Sequence, residues 1–153
     1  MAFGRERRTA PDYGSAKVVA REARRLRQAE SRYGLHRLGI DHLGFDLGGT
    51  KMLAVVYDAQ FKAIGRSRMK TQGSRGTDSV LERLTENIEK ALSESGITSA
   101  ELSSIGIGVP GTVNMENGIV LGSVNLGWKN IPIVKILQDK YHCSVQLLND
   151  VDA

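Results

Sequence analysis

Two apolar runs, Leu43–Leu47 and Met52–Tyr57, are separated only by Gly48-Gly-Thr-Lys51. So short a link cannot return the chain to the start of a parallel strand, a crossover that takes about a dozen residues or more. The two runs must therefore pair antiparallel. A second tight turn, Asp58-Ala-Gln60, leads from the second run into Phe61–Lys70. The spacing predicts three strands in an antiparallel meander.

Beyond the loop Gly73-Ser-Arg-Gly76, Ser79-x-x-Glu82 reads as a capping box that opens an amphipathic helix. Val80, Leu81, Leu84, Ile88, Ala91 and Leu92 fall on one face of it, and Gly96 ends it. Ser103–Val109 is a fourth strand, apolar enough for a central place in a sheet. Asn117-Gly118 predicts a two-residue hairpin between Thr112–Met115 and Ile119–Leu121. Pro132 suits the first turn of a helix reaching Tyr141, with Ile133, Val134 and Leu137 inward. Cys143–Leu148 is a fifth strand that ends at Asn149-Asp150. The order β-β-β-α-β-(hairpin)-α-β predicts an α/β fold. It is the topology of one ribonuclease-H-like (actin-like ATPase) lobe, with a mixed five-stranded sheet and helical crossovers. Ligands of open α/β sheets collect at the carboxyl ends of the strands, and Asp46, Gly111 and Asp150 all fall there.

Charge divides the chain. Residues 1–40 hold 10 Lys/Arg against 4 Asp/Glu, whereas residues 41–153 hold 11 against 13. The net charge of +4 thus belongs to a basic N-terminal extension and not to the domain that carries the motifs. Ser15 can cap a helix through about Tyr33, with a thin apolar stripe of Val19, Ala23, Leu26 and Tyr33, and Gly34 and Gly39 mark a linker. The extension reads first as a solvated helix or loose tail. A contact with nucleic acid, an acidic partner or another subunit is the weaker alternative. No apolar run is long enough to span a bilayer, and the Arg-rich start lacks the apolar core of a signal peptide. The single cysteine, Cys143, allows neither an internal disulfide nor a cysteine metal cluster. These features point to the cytoplasm. His36, His42 and His142 show no ligand spacing, and Trp128 reads first as a core residue.

Asp46-Leu-Gly-Gly-Thr-Lys51 is the motif richest in chemistry. Paired glycines let a backbone approach a bulky anion closely, Asp46 offers a hard oxygen to magnesium, and Thr50 adds a hydroxyl. A strand follows where a Walker loop would place a helix. The segment predicts a phosphate site with magnesium held through the nucleotide, against the plainer alternative of a Gly-Gly hairpin. Gly106, Gly108, Pro110 and Gly111 form either a tight strand and turn or a backbone wall for a ligand. Asn149-Asp150 is either a turn or cap or a base on a rigid strand end. In the second case Asp150 takes a proton from a hydroxyl that attacks a γ-phosphate, and Asn149 orients that hydroxyl.

Taken in order, Gly44-Phe-Asp-Leu-Gly-Gly-Thr-Lys51, Ile105-Gly-Ile-Gly-Val-Pro-Gly111, Asn117-Gly-Ile-Val120, Asn125-Leu-Gly-Trp128 and Leu148-Asn-Asp150 resemble the ROK family of repressors, open reading frames and sugar kinases. The resemblance runs from about Gly44 to Asp152 and covers a glucokinase-like N-terminal lobe, residues 41–153. It implies ATP- and Mg2+-dependent phosphorylation of a hexose or acylamino-hexose. It also implies Asp150 as catalytic base, Asn149 on the sugar, and Gly48, Gly49 and Thr50 at the phosphates with Asp46 near magnesium. Gly111, Thr112 and Asn125 would line the sugar pocket. A homodimer of the intact protein stays open. The second lobe of the family's kinases does not follow Asp150, so the chain is expected to be an inactive N-terminal fragment. The alternatives are a sugar-responsive regulator of the same family and a non-functional truncated reading frame.

Overall fold

The computed structural model describes residues 41–149. The expected helix over residues 15–33, the linker glycines and Asp150 lie outside them. Eight strands and two α-helices follow one another: β1 Asp41–Leu47, β2 Lys51–Tyr57, β3 Ala63–Lys70, α1 Thr77–Ser95, β4 Leu102–Val109, β5 Thr112–Asn114, β6 Ile119–Ser123, β7 Trp128–Ile131, α2 Ile133–Tyr141 and β8 Ser144–Asn149. Short 3-10 turns at Gly73–Arg75 and Ser99–Glu101 precede α1 and β4.

Five strands make the main sheet in the order β3-β2-β1-β4-β8. The meander pairs antiparallel, and β1–β4 and β4–β8 pair parallel. This is the mixed sheet expected from the sequence. β1 lies in the middle, and all eight residues of β4 are buried, as their apolar composition requires. Leu43, Phe45 and Leu47 of β1 join Met52, Ala54, Val56, Ile105, Ile107 and Val109 in one core with the buried faces of both helices. Both crossovers move across the sheet in the same direction, and right-handed connections then put their helices on the same side. The opposite face carries Leu53, Val55 and Tyr57 with Phe61 and Ala63. By strand alternation it also holds His42, Gly44 and Asp46. His42 stacks on Phe61 at 4.9 Å between ring centroids, and its Nδ1 lies 2.6 Å from the Ser104 hydroxyl. Tyr141 joins the two helices: its hydroxyl donates to Glu89 Oε2 at 3.0 Å. Burial, and after it the Glu89 carboxylate, pushes the phenol above its ordinary pKa.

Four local expectations change. Phe61 is not in β3; it sits at φ 61° in the turn, where its N–H reaches the Asp58 carbonyl at 2.9 Å. Ser79 does not cap α1. The helix starts at Thr77, and the Gly76 carbonyl already accepts the Val80 N–H. A reciprocal capping box does occur at Thr98 and Glu101, before β4. The Asn117-Gly118 turn has four residues rather than two, because the Gly118 N–H returns to the Asn114 carbonyl at 2.9 Å. Finally, the hairpin is part of a three-stranded sheet, β5-β6-β7. Its last strand, Trp128–Ile131, is too short and too closely bounded by Gly127 and Pro132 to be evident from alternation.

Thr98→Ala is expected to cost about 1 kcal/mol in urea unfolding of the chain, whereas Ser79→Ala should stay within about 0.5 kcal/mol. Equal losses would return the capping role to Ser79.

Candidate functional site

The parallel strands β1, β4 and β8 end on one edge of the sheet, and register fixes what stands there. Asp46 is level with Gly108, and Val109 is level with Asn149. At the usual strand spacing, Asp46 and Asn149 lie two strands apart, about 10 Å. Asp46 is half-buried near the end of β1, and Thr50 and Lys51 beyond it are exposed.

The Gly48–Lys51 turn is held from outside itself. The Gly48 N–H donates to the Lys51 carbonyl at 2.9 Å, as a hairpin requires. The Gly48 carbonyl accepts the Thr71 hydroxyl at 2.7 Å, and the Thr71 N–H donates to the Thr50 carbonyl at 2.8 Å. Thr71 is wholly buried at the end of β3. Sequence reading missed it, although a threonine opposite a Gly-Gly turn in a meander was a usable signal. Gly73, two residues on, passes close to the Asn125 carbonyl: a Cβ there would stand 2.8 Å from that oxygen.

Asn125 belongs to the turn Ser123–Gly127, between the buried side chains of Ser123 and Leu126. A Cβ on Gly49 would stand 2.8 Å from the Asn125 Cβ, so only glycine lets the two loops touch. The structure thus brings together a candidate phosphate loop and a candidate sugar residue 76 positions apart in sequence. On the β4–β8 side, Asn149 Nδ2 donates to the Gly111 carbonyl at 2.6 Å. Gly111 has φ +106°, and a Cβ there would collide with the Gly122 carbonyl. Thr112 follows, exposed, at the start of β5. Two groups result: Gly48 to Lys51 with Thr71, Gly73 and Asn125, and Gly111 with Thr112 and Asn149. Trp128 is a core residue, 3% exposed. Asp150 lies outside the described residues.

The exposed turn fits a phosphate. The bonds that hold it use the Gly48 N–H and the Gly48, Thr50 and Lys51 carbonyls. The Gly49 and Thr50 amides, the Thr50 hydroxyl and the Lys51 ammonium take part in none of them. Asp46 is the carboxylate that precedes the turn in sequence, and among the described residues no three His, Cys, Asp or Glu side chains cluster as metal ligands. A magnesium ion here would draw most of its oxygens from phosphate and water. No helix among the described residues is long and apolar enough to cross a membrane.

Sheet order, paired crossovers and a glycine turn at the carboxyl edge define an actin-like α/β lobe. The ROK family matches residues 42–153, and the chain belongs to that family. It is 30% identical over 111 residues to the xylose repressor of Caldicellulosiruptor bescii, across 72% of this chain and 28% of that protein. It is also similar to the crystal structure of the ROK hexokinase from Thermus thermophilus. There identity is 32% and the TM-score 0.62, covering 72% of this chain and 35% of that one. A ROK family glucokinase from Streptomyces griseus, solved in complex with glucose and AMPPNP, shares the fold at 23% identity and a TM-score of 0.62, over 72% of this chain and 33% of that one. The chain therefore spans about a third of the length of the relatives it matches, and these include both sugar kinases and repressors.

Gly111→Ala is expected to cost more stability than Gly76→Ala. Both residues have φ near +100°, where a side chain adds about 1–3 kcal/mol of strain, but only at Gly111 does backbone occupy the added carbon's space. Urea melts of the two variants test this, and equal losses would mean that β5 and β6 yield without cost.

Proposed function

We propose that residues 41–153 form the N-terminal lobe of a ROK-type sugar kinase and supply one wall of its phosphotransfer cleft. The observation that carries this reading is the contact of Asn125 with Gly49. It makes one site of a turn suited to phosphate and a loop suited to a polar ligand. A second support is the Asn149 hydrogen bond to the Gly111 carbonyl, which fixes an amide on the same edge.

In this reading a hexose or acylamino-hexose lies against Gly111, Thr112, Asn125 and Asn149. The Asp150 carboxylate accepts the proton of one sugar hydroxyl. That oxygen attacks the γ-phosphorus of ATP, and the bond to the β-phosphate oxygen breaks to release ADP. The Gly49 and Thr50 amides, the Thr50 hydroxyl and Lys51 hold phosphate oxygens. Magnesium, carried by the nucleotide beside Asp46, would neutralise the charge that gathers on them. Little covalent work falls to the protein; alignment and charge stabilisation are its part.

In a protein that continues this lobe to family length, Asp150→Asn is expected to lower sugar-dependent ADP release by about 10²–10⁴-fold with sugar affinity little changed. Undiminished turnover would remove Asp150 as the base. Residues 1–153 by themselves should release no ADP above background with any of a panel of hexoses, because one wall neither aligns both substrates nor excludes water. Robust turnover would overturn that.

A second reading is a sugar-responsive transcriptional regulator. It is favoured by the likeness to a xylose repressor and by the excess of arginine in residues 1–40. Binding to DNA that weakens steeply with salt in a mobility-shift assay would support it, and no binding at low salt would remove it.

A further inference from the structure

The Gly48–Gly49 peptide faces a choice that its own residues cannot make. Neither residue has a Cβ, so rotating this peptide plane by half a turn meets little steric resistance on either side. Its direction nevertheless decides the chemistry of the loop. A trans peptide holds its carbonyl and its N–H on opposite sides. When the Gly48 carbonyl points into the protein, the Gly49 N–H points away from it. If the plane turned over, a carbonyl oxygen would face the place where a phosphate oxygen has to lie.

One group fixes that carbonyl from the interior side: the Thr71 hydroxyl, which donates to it at 2.7 Å. Thr71 is wholly buried, so its side chain cannot follow the loop outward. Its own N–H, bonded to the Thr50 carbonyl at 2.8 Å, holds the far side of the same turn. One residue thus clasps both ends of the Gly49-Thr50 tip. The grip is anchored further along the chain. Lys70 accepts Arg83 Nε of α1 on its carbonyl at 2.8 Å, and Gly73 is packed against Asn125.

We propose that Thr71 is a positioning residue for phosphate binding, and that its hydroxyl latches the Gly48–Gly49 peptide with the Gly49 N–H turned outward to a phosphate oxygen. The inference rests on the phosphate assignment made above and adds the device that orients it. Valine keeps the shape of threonine and removes the donor, whereas serine keeps the donor and removes a methyl group. The latch therefore separates the two substitutions in a way that packing does not. A residue that merely filled space would be served better by valine.

The test uses 15N-labelled residues 1–153 titrated with magnesium pyrophosphate, with the Gly49 and Thr50 amide signals as readout. Trp128 fluorescence checks that each variant is folded. In the unsubstituted chain the Gly49 amide should shift on titration. Thr71→Val should weaken binding about tenfold, the scale of one lost hydrogen bond, and should move the Gly49 signal before any ligand is added. Thr71→Ser should bind within about twofold of the parent. Equal affinities in all three chains would overturn the latch and leave the phosphate assignment intact. Loss of binding in the serine variant as in the valine one would overturn it too, by showing that the methyl group and not the donor matters. If pyrophosphate moved no signal between residues 48 and 51 in the parent chain, the phosphate assignment itself would fall and the latch with it.

Discussion

The parallel pairing of β1 with β4 is the constraint on which the rest of the structure depends. It joins a local antiparallel meander to a chain segment some 60 residues later, and with the parallel pairing of β4 and β8 it gives β1, β4 and β8 a common direction. A common direction means a common edge for their carboxyl ends. Asp46, Gly111 and Asn149 share one edge for that reason. The pairing is possible because both strands are buried along nearly their whole length, and a strand covered on both faces needs apolar or very small residues. Leu43, Phe45, Ile105 and Ile107 meet the first requirement, and Gly44, Gly106 and Gly108 meet the second.

On that edge, small residues do two different jobs. At Gly49 and Gly73 the missing side chains let three loops touch, and the contact adds to the β2–β3 pair a loop from the other sheet, with which neither shares a strand pair. At Gly111 the requirement is conformational, because the chain leaves β4 at φ +106° and turns at once into a second sheet. The second sheet projects Asn125 back toward the glycine turn. Its anchors are the buried Leu126 and Trp128, which fasten the loop to the main core while leaving Asn125 exposed. A tryptophan beside a candidate ligand residue here serves as an anchor and not as a contact.

Much of this was legible in the residues. Turn lengths gave the meander, helical periodicity gave α1 and α2, and the order of elements gave the five-stranded sheet. The misses share a cause. Phe61, Ser79 and Asn117-Gly118 each carry a strong local preference that backbone hydrogen bonds elsewhere overrode: Asp58 holds Phe61, Gly76 starts α1 without a side-chain cap, and Asn114 closes a longer turn. β7 was invisible because four residues give too little alternation to read. Thr71 went unseen because its one signal, a place opposite the glycine turn in the meander, lies 23 positions earlier and not among its own neighbours in sequence.

By itself the sequence determined the class of fold, the family resemblance and the types of group available at the sheet edge. It could do so because period, turn length and glycine placement are local properties. Tertiary structure alone decided which of those groups meet. Asn125 lies on Gly49, Asn149 holds the Gly111 carbonyl, and Thr71 faces inward to Gly48. Each of these contacts joins residues more than 20 positions apart. They come together only once burial of the apolar face of the sheet has fixed every strand's register.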